Sequence, residues 1–335
     1  MKRILALLFA VALVGAACGD DDSADADADA DAGADADADA DADDSGGAKP
    51  TITLIVNPWT ASRLNAEVAA QLIESELGNP TEIINIDETA MFPGLADGTL
   101  DVVLEIWPSS ITDIKQAYFD DETIVNIGEL GAIGKIGWFV PQYVIDEHPE
   151  MATWEGLSSD VAADYFGTAE TGDRGRFLAT DPSYSQYDAL LIENLDLPFD
   201  VIYSGSEPAT VAELDSKASA SEGIIMYWWT PTAAVGKYDL VNVALPEFTA
   251  ECGATSGTPD ADVTCDYPQE TIFKAASSAL EEKDPAVFAF LENFAITNAD
   301  QLEMLPAAEI DGDDPSDVAA DWIAAHGDVW SAWIS

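Results

Sequence analysis

Residues 51–56 read Thr-Ile-Thr-Leu-Ile-Val, an apolar stretch of strand length. Asn57-Pro58 then breaks it, and Leu64, Val68, Leu72 and Ile73 recur at helical spacing. A second strand at 82–86, a short helix near 90–97 and a third strand at 100–106 repeat the alternation, which predicts a parallel sheet flanked by helices. A glycine-rich run from Gly128 to Gly137 suits a crossover, and 140–145 reads as the next strand. The pattern then starts again, with strands at 177–180, 201–203 and 223–228 alternating with helices at 186–195 and 209–219. From Pro268 onward the spacing predicts helices over 271–283, 285–294, 299–305 and 315–334. Two α/β units with a long return to the first imply a bilobed α/β fold. Lobe 1 would comprise residues 49–140 plus 240–335 and lobe 2 residues 141–239, with a ligand cleft between them beyond the carboxyl ends of the strands.

The N-terminus carries a different signal. Lys2 and Arg3 precede an apolar or small stretch over 4–17, too short to span a bilayer comfortably and of the length of a secretory apolar region, so residues 1–17 are expected to be a signal peptide. The stretch ends Val14-Gly15-Ala16-Ala17-Cys18, which resembles the lipobox of bacterial lipoproteins, and that resemblance implies lipidation of Cys18. Residues 19–48 are an Asp-Ala repeat with thirteen aspartates and no base, too polar and self-repelling to fold. As a disordered tether they could reach on the order of 100 Å at full extension. The place implied is extracytoplasmic, held to the cell membrane by the lipid anchor alone, since 49–335 contains no second hydrophobic span.

The formal charge of the chain is −52. Without the thirteen tether aspartates and the two N-terminal bases, the 64 acidic and 12 basic side chains fall to 51 and 10, leaving −41 on the folded part. Nucleic acid and anionic surfaces are excluded as partners. An acidic surface of this kind suits concentrated salt, where repulsion is screened and carboxylates hold water. No acidic cluster has metal-ligand spacing, so neither metal nor cofactor is expected. Cys252 and Cys265 lie in a loop rich in Gly, Thr, Pro and Asp, where an exported protein forms a disulfide by default, worth about 3 kcal/mol in the chain-entropy picture. The two histidines, His148 and His326, belong to no nucleophile or zinc motif, and no glycine-rich phosphate loop is present. A hydrolase acting on polysaccharide or peptide therefore has no catalytic residues to name, and a binding protein is expected.

The aromatic residues supply the positive evidence. Trp59 follows the first strand and Trp107 the third; Trp138 precedes the strand at 140–145, and Trp228-Trp229 close the strand before Thr230-Pro231. A quaternary ammonium has no N–H to donate, so recognition must come from ring faces around its diffuse charge, each desolvated contact giving up to about 2 kcal/mol. Three or four rings then supply most of the roughly 8 kcal/mol that micromolar binding needs. Trp107-Pro108, Asp181-Pro182-Ser183-Tyr184, Trp229-Thr230-Pro231, Lys237-Tyr238-Asp239-Leu240 and the closing Asp321-Trp322-Ile323, Trp330 and Trp333 follow one another in an order that is recognisable. Over essentially all of 49–335 the chain resembles the substrate-binding proteins of glycine betaine, proline betaine and choline ABC importers, which have the type II periplasmic-binding-protein fold.

The resemblance implies that Trp59, Trp107, Tyr184 and Trp229 wall an aromatic box and that the backbone amides of Ser185 and Gln186 receive a ligand carboxylate. Those amides open a helix, where an anion is favoured. Glu105, two residues before Trp107, together with Trp138 and Trp228, are further candidates. Adjacent on a strand, Trp228 and Trp229 should face opposite ways, and Trp229 is the one assigned to the cleft. Some betaine binders place His after Trp-x-Pro where this chain has Thr232, so choline and carnitine stay open beside betaine. An amino acid or sulfonate would need an arginine in the cleft, and only Arg63, Arg174 and Arg176 could serve. A monomer is expected, handing its ligand to a membrane permease.

Overall fold

The structure, a computed structural model, describes residues 48–253 and 262–334. The signal segment, Cys18 and the tether lie outside the described residues. Nine strands form one sheet: β1 (Ile52–Val56), β2 (Thr81–Asn85), β3 (Val102–Ile106), β4 (Ile124–Pro141), β5 (Gly175–Ala179), β6 (Phe199–Tyr203), β7 (Ile225–Thr230), β8 (Leu240–Asn242) and β9 (Gln269–Ser277). Their order is β2-β1-β3-β9-β4-β7-β5-β6, with β8 paired to β4.

The order explains the architecture. β2, β1 and β3 are mutually parallel, as are β6, β5 and β7, and each triplet is wound with helices as the alternating pattern requires. The antiparallel pair β9 and β4 stands between the triplets. In the first triplet β1 and β3 are buried almost throughout, the mark of strands covered on both faces. The helix α1 (Thr60–Leu72) covers one face with Leu64, Val68 and Leu72 fully buried.

The glycine-rich run that suits a crossover is the middle of the 18-residue β4, which pairs with β9 along its first part and with β7 toward its end, and where Leu130, Ala132, Gly134 and Ile136 are buried at every second position. Two expected elements differ. The strand expected at 140–145 ends instead at Pro141, and Gln142–Glu147 is a helix. Proline has no N–H to continue the ladder, and its fixed φ suits the entry to a helix. The helix expected over 271–283 is the strand β9 up to Ser277, followed by a single helical turn at Leu280–Lys283. Glu270, Ile272, Lys274 and Ala276 all point to one buried side, and pairing on both edges with β3 and β4 outweighs the helix propensity of Lys-Ala-Ala-Ser.

Cys252 and Cys265 are joined in a disulfide, with Cα atoms 6.0 Å apart. Among the described residues no helix is long and apolar enough to cross a membrane.

Candidate ligand-binding site

The carboxyl ends of β1, β2, β3 and β5, the middle of β4 and the last residues of β7 deliver side chains to one small cavity, lined by Trp59, Glu88, Trp107, Ile136, Tyr184, Ser185, Tyr227 and Trp229. Each wall has a local cause. Trp59 stands in extended conformation just before α1, so its ring projects back over the strand end. Trp107 follows β3 directly, and its ring packs close to the bare backbone of Gly134 on β4: a Cβ added there would come within 2.3 Å of the ring. Trp229 pairs in register with Ile136 of β4, which explains why that isoleucine forms the floor beside it. Tyr184 is carried by the loop after β5. Asp181 turns that loop, its Oδ1 accepting from the Ser183 N–H at 2.8 Å and its carbonyl from the Tyr184 N–H at 3.1 Å.

The rings meet edge to face. Tyr184 lies 5.5 Å from Trp59 at 86° and 5.7 Å from Trp229 at 82°. Tyr227, two residues before Trp229 on the same strand face, sits 6.1 Å from Trp229 and 6.5 Å from Tyr184. The Tyr184 hydroxyl donates to the Pro58 carbonyl, tying the β5 loop to the β1 turn, and the Tyr227 hydroxyl donates to the Ser185 carbonyl at 3.2 Å. Four rings other than Trp107 thus hold one another in place, and all five are nearly inaccessible to solvent.

Trp59 and Trp107 are oriented by a buried carboxylate behind them. Glu105 Oε1 accepts from Trp59 Nε1 at 2.7 Å and Trp107 Nε1 at 3.1 Å, and Oε2 accepts from Asn65 Nδ2 at 2.8 Å. Burial pushes its pKa up to about 7 against the pull of those three donors. Glu105 therefore touches the back of the walls rather than the cavity.

Other candidates also stand off the cavity. Trp138 is fully buried and donates to Asp188 Oδ1 at 2.6 Å. Trp228 is fully buried and donates to Thr232 Oγ1 at 2.7 Å. Its ring stacks on that of Trp229 at 4.5 Å and 29°, so the two indoles lie together instead of on opposite sides. The Gln186 side chain turns back to the Asp181 carbonyl at 2.6 Å. Arg63, Arg174 and Arg176 pair with Glu67, Asp200 and Glu213, and none of them lines the cavity.

Three lining residues lack a sequence signal strong enough to single them out. Tyr227 could be read from its two-residue spacing to Trp229. Ile136 depends on the β4/β7 register, and Glu88 is one acid among many, three residues past β2. Glu88 is 3% exposed. Burial raises its pKa to about 7, while the charge of Lys115 favours its charged form and that of Glu270 opposes it. The hydroxyl oxygens of Ser110 and Ser185 are buried without a hydrogen-bond partner among the described residues.

Residues 50–325 match the family described as the substrate-binding domain of ABC-type glycine betaine transport systems. A trimethylamine N-oxide-binding protein of Pelagibacter ubique (strain HTCC1062) is 24% identical over 296 residues, covering 86% of this chain and 92% of that protein. Among solved structures, lactococcal OpuAC in its closed, liganded conformation with glycine betaine superposes with a TM-score of 0.62 at 18% identity, over 86% of this chain and all of that one. An ABC-transporter choline-binding protein in complex with choline gives 0.65 at 16% identity, over 85% of this chain and 92% of that one. Both share the bilobed fold of periplasmic binding proteins.

Proposed function

The chain belongs to the family of substrate-binding domains of ABC-type glycine betaine transport systems, a family of solute binders and not of enzymes, and from that premise we propose which solute chemistry it takes and how it is deployed. The ligand is a small methylated-ammonium compound enclosed by Trp59, Trp107, Tyr184, Tyr227 and Trp229. The observation that carries this reading is the convergence of five rings on one buried cavity with no arginine in its wall. Such a lining offers π faces to a cation that has no N–H, and offers an amino acid or sulfonate no guanidinium to pair with.

In this reading residues 49–140 plus 240–335 form one lobe and 141–239 the other, and the closed form docks on a membrane permease. The lipidated Cys18 and the acidic repeat after it keep a monomer at the outer face of the membrane. The charge of −52 adapts the surface to concentrated salt. Titration calorimetry in high salt with choline, trimethylamine N-oxide, glycine betaine, proline betaine and carnitine tests the ligand class. At least one should bind in the micromolar range, about 8 kcal/mol, and heat from none of them would refute it. Cys18→Ser tests the anchor: the chain should move from the membrane fraction to the soluble fraction of the producing cells, and an unchanged membrane share would overturn lipidation.

A further inference from the structure

The family resemblance assigns the Ser185 backbone amide to a ligand carboxylate, yet in this chain the cavity wall that holds Ser185 also holds a carboxyl of the protein's own. Glu88 lines the same cavity as Ser185 and the five rings, and it is almost wholly buried there. We propose that Glu88 is a specificity-determining residue: it occupies the end of the cavity that a betaine carboxylate would take, so the site prefers methylated-ammonium compounds whose polar end is a single oxygen, hydroxyl or N-oxide. The inference rests on the methylated-ammonium reading and narrows it.

Charge and hydrogen bonding both point this way. A ligand carboxylate placed against Glu88 brings two like charges together in a water-excluded cavity, an arrangement strongly opposed unless one of them takes a proton. Choline, a cation without a carboxylate, meets no such opposition, since the rings face its methyl groups and Glu88 balances its charge; the N-oxide, whose oxygen carries its negative charge, escapes the opposition when Glu88 holds a proton and donates to that oxygen. At the same end the Ser185 hydroxyl is buried, has no partner among the described residues, and is able to donate to, or accept from, one ligand oxygen. The groups facing Glu88 are Lys115 from the helix Asp113–Asp120, Ser110 from the turn after β3, Glu270 from β9, Ser185 and Tyr184 from the loop after β5, and Tyr227 from β7. Lys115 is the single cation among them, and its own pKa is lowered by burial.

The two single-oxygen ligands are told apart by the proton on Glu88. A ligand hydroxyl donates to the carboxylate, so choline should bind more tightly as pH rises from about 6 to about 8. An N-oxide oxygen only accepts, so trimethylamine N-oxide should bind more weakly over the same range.

The test is calorimetry of the full mature protein with choline, trimethylamine N-oxide and glycine betaine at about pH 6 and about pH 8, repeated with Glu88→Gln and Glu88→Ala, with circular dichroism melts to verify folding. At the higher pH choline should bind at least about tenfold more tightly than glycine betaine, the like-charge repulsion being the cause. Glu88→Gln should shrink that ratio at least about fivefold by raising betaine affinity. Preference for choline or for the N-oxide, each with its own pH trend, upholds the inference. Betaine binding as tightly as both in the unaltered protein, or a ratio unmoved in either folded variant, overturns it while leaving the methylated-ammonium reading intact. Binding of none of the three overturns it, and if proline betaine and carnitine are silent as well, the methylated-ammonium reading falls with it.

Discussion

Thr60 and Glu207 join the two halves of the sheet through a single carboxylate oxygen: Glu207 Oε2 accepts from the Thr60 backbone N–H at 2.7 Å and from its hydroxyl at 3.0 Å. Thr60 opens α1 directly after Trp59, and Glu207 opens the helix Glu207–Ala220 before β7. A bond between the two triplets, made beside a wall of the cavity, favours the arrangement in which the rings enclose a ligand. Glu207→Ala should therefore speed ligand release, with an affinity loss of about 10- to 150-fold above about pH 8, where the carboxylate is charged and its hydrogen bonds are worth roughly 1.5–3 kcal/mol, and with the rank order of ligands unchanged. Stopped-flow dissociation measured through tryptophan fluorescence checks it; an unchanged off-rate would show the contact to be incidental.

The same carboxyl predicts a pH dependence. Burial and the nearby Glu309 push Glu207 up to about 8, from 4.5 when free, and burial carries Glu88, Glu105, Asp188 and Glu270 to about 7. Because these folded-state values lie above the unfolded ones, their contribution is whole below about pH 4.5 and is lost as pH rises through about 7 to 8. Denaturant unfolding in constant salt should show stability falling from about pH 5 to about pH 9. In Glu207→Gln the fall should be smaller by about 1 kcal/mol or more, since a pKa that is higher by one in the folded state than in the unfolded state corresponds to about 1.4 kcal/mol.

Glu105 predicts a coupled loss of two walls. Replacing it with Ala leaves the indole N–H groups of Trp59 and Trp107 buried without an acceptor, each costing about 1–3 kcal/mol, and frees both rings to reorient. Affinity should fall by more than about 30-fold, beyond what one lost ring face explains, and the tryptophan emission should shift to the red. Asn65 is the third partner, so Asn65→Ala should weaken binding less than Glu105→Ala does, with calorimetry as the readout.

How much of the fold and site is legible in the chain follows from how local each cause is. The strand-helix alternation and the tryptophans at strand ends are short-range patterns, and Trp59, Trp107 and Trp229 can be picked out from them, whereas Tyr184 and Ser185 come from the family resemblance. β9 cannot, because Thr-Ile-Phe-Lys-Ala-Ala-Ser takes its strand conformation from two neighbours far away in sequence. β4 is hidden by its glycines, one of which, Gly134, admits the ring of Trp107. Glu88 is hidden by its company: in a chain with 64 acidic residues no single carboxylate stands out until the fold buries it.

Gly134 yields a prediction of its own. The ideal Cβ of Gly134→Ala would sit 2.3 Å from two carbons of the Trp107 ring, a distance no real pair of carbons tolerates, so the indole must move into the cavity or the strands must part. Ligand affinity should drop at least about tenfold while the overpacking costs about 1–3 kcal/mol of stability. A ligand-bound crystal structure of the variant should show the Trp107 ring displaced toward the cavity. Wild-type affinity in a stable variant would mean that the ring does not need its present position.

Trp229 and Trp138 give the sharpest contrast between a wall and a core residue. Both are buried indoles on neighbouring strands, but Trp229 faces the cavity whereas Trp138 packs 4.8 Å from Phe177 and spends its N–H on Asp188. Trp229→Ala removes a π face from the ligand and should weaken binding about 5- to 30-fold, the equivalent of about 1–2 kcal/mol. Trp138→Phe keeps an aromatic ring in the core but takes one donor from the buried Asp188, which retains Tyr267, so it should cost about 1–3 kcal/mol of stability. Affinity in that variant should stay within about threefold of the parent. If Trp138→Phe weakened binding as much as Trp229→Ala with stability intact, the ring that contacts the ligand would be misassigned.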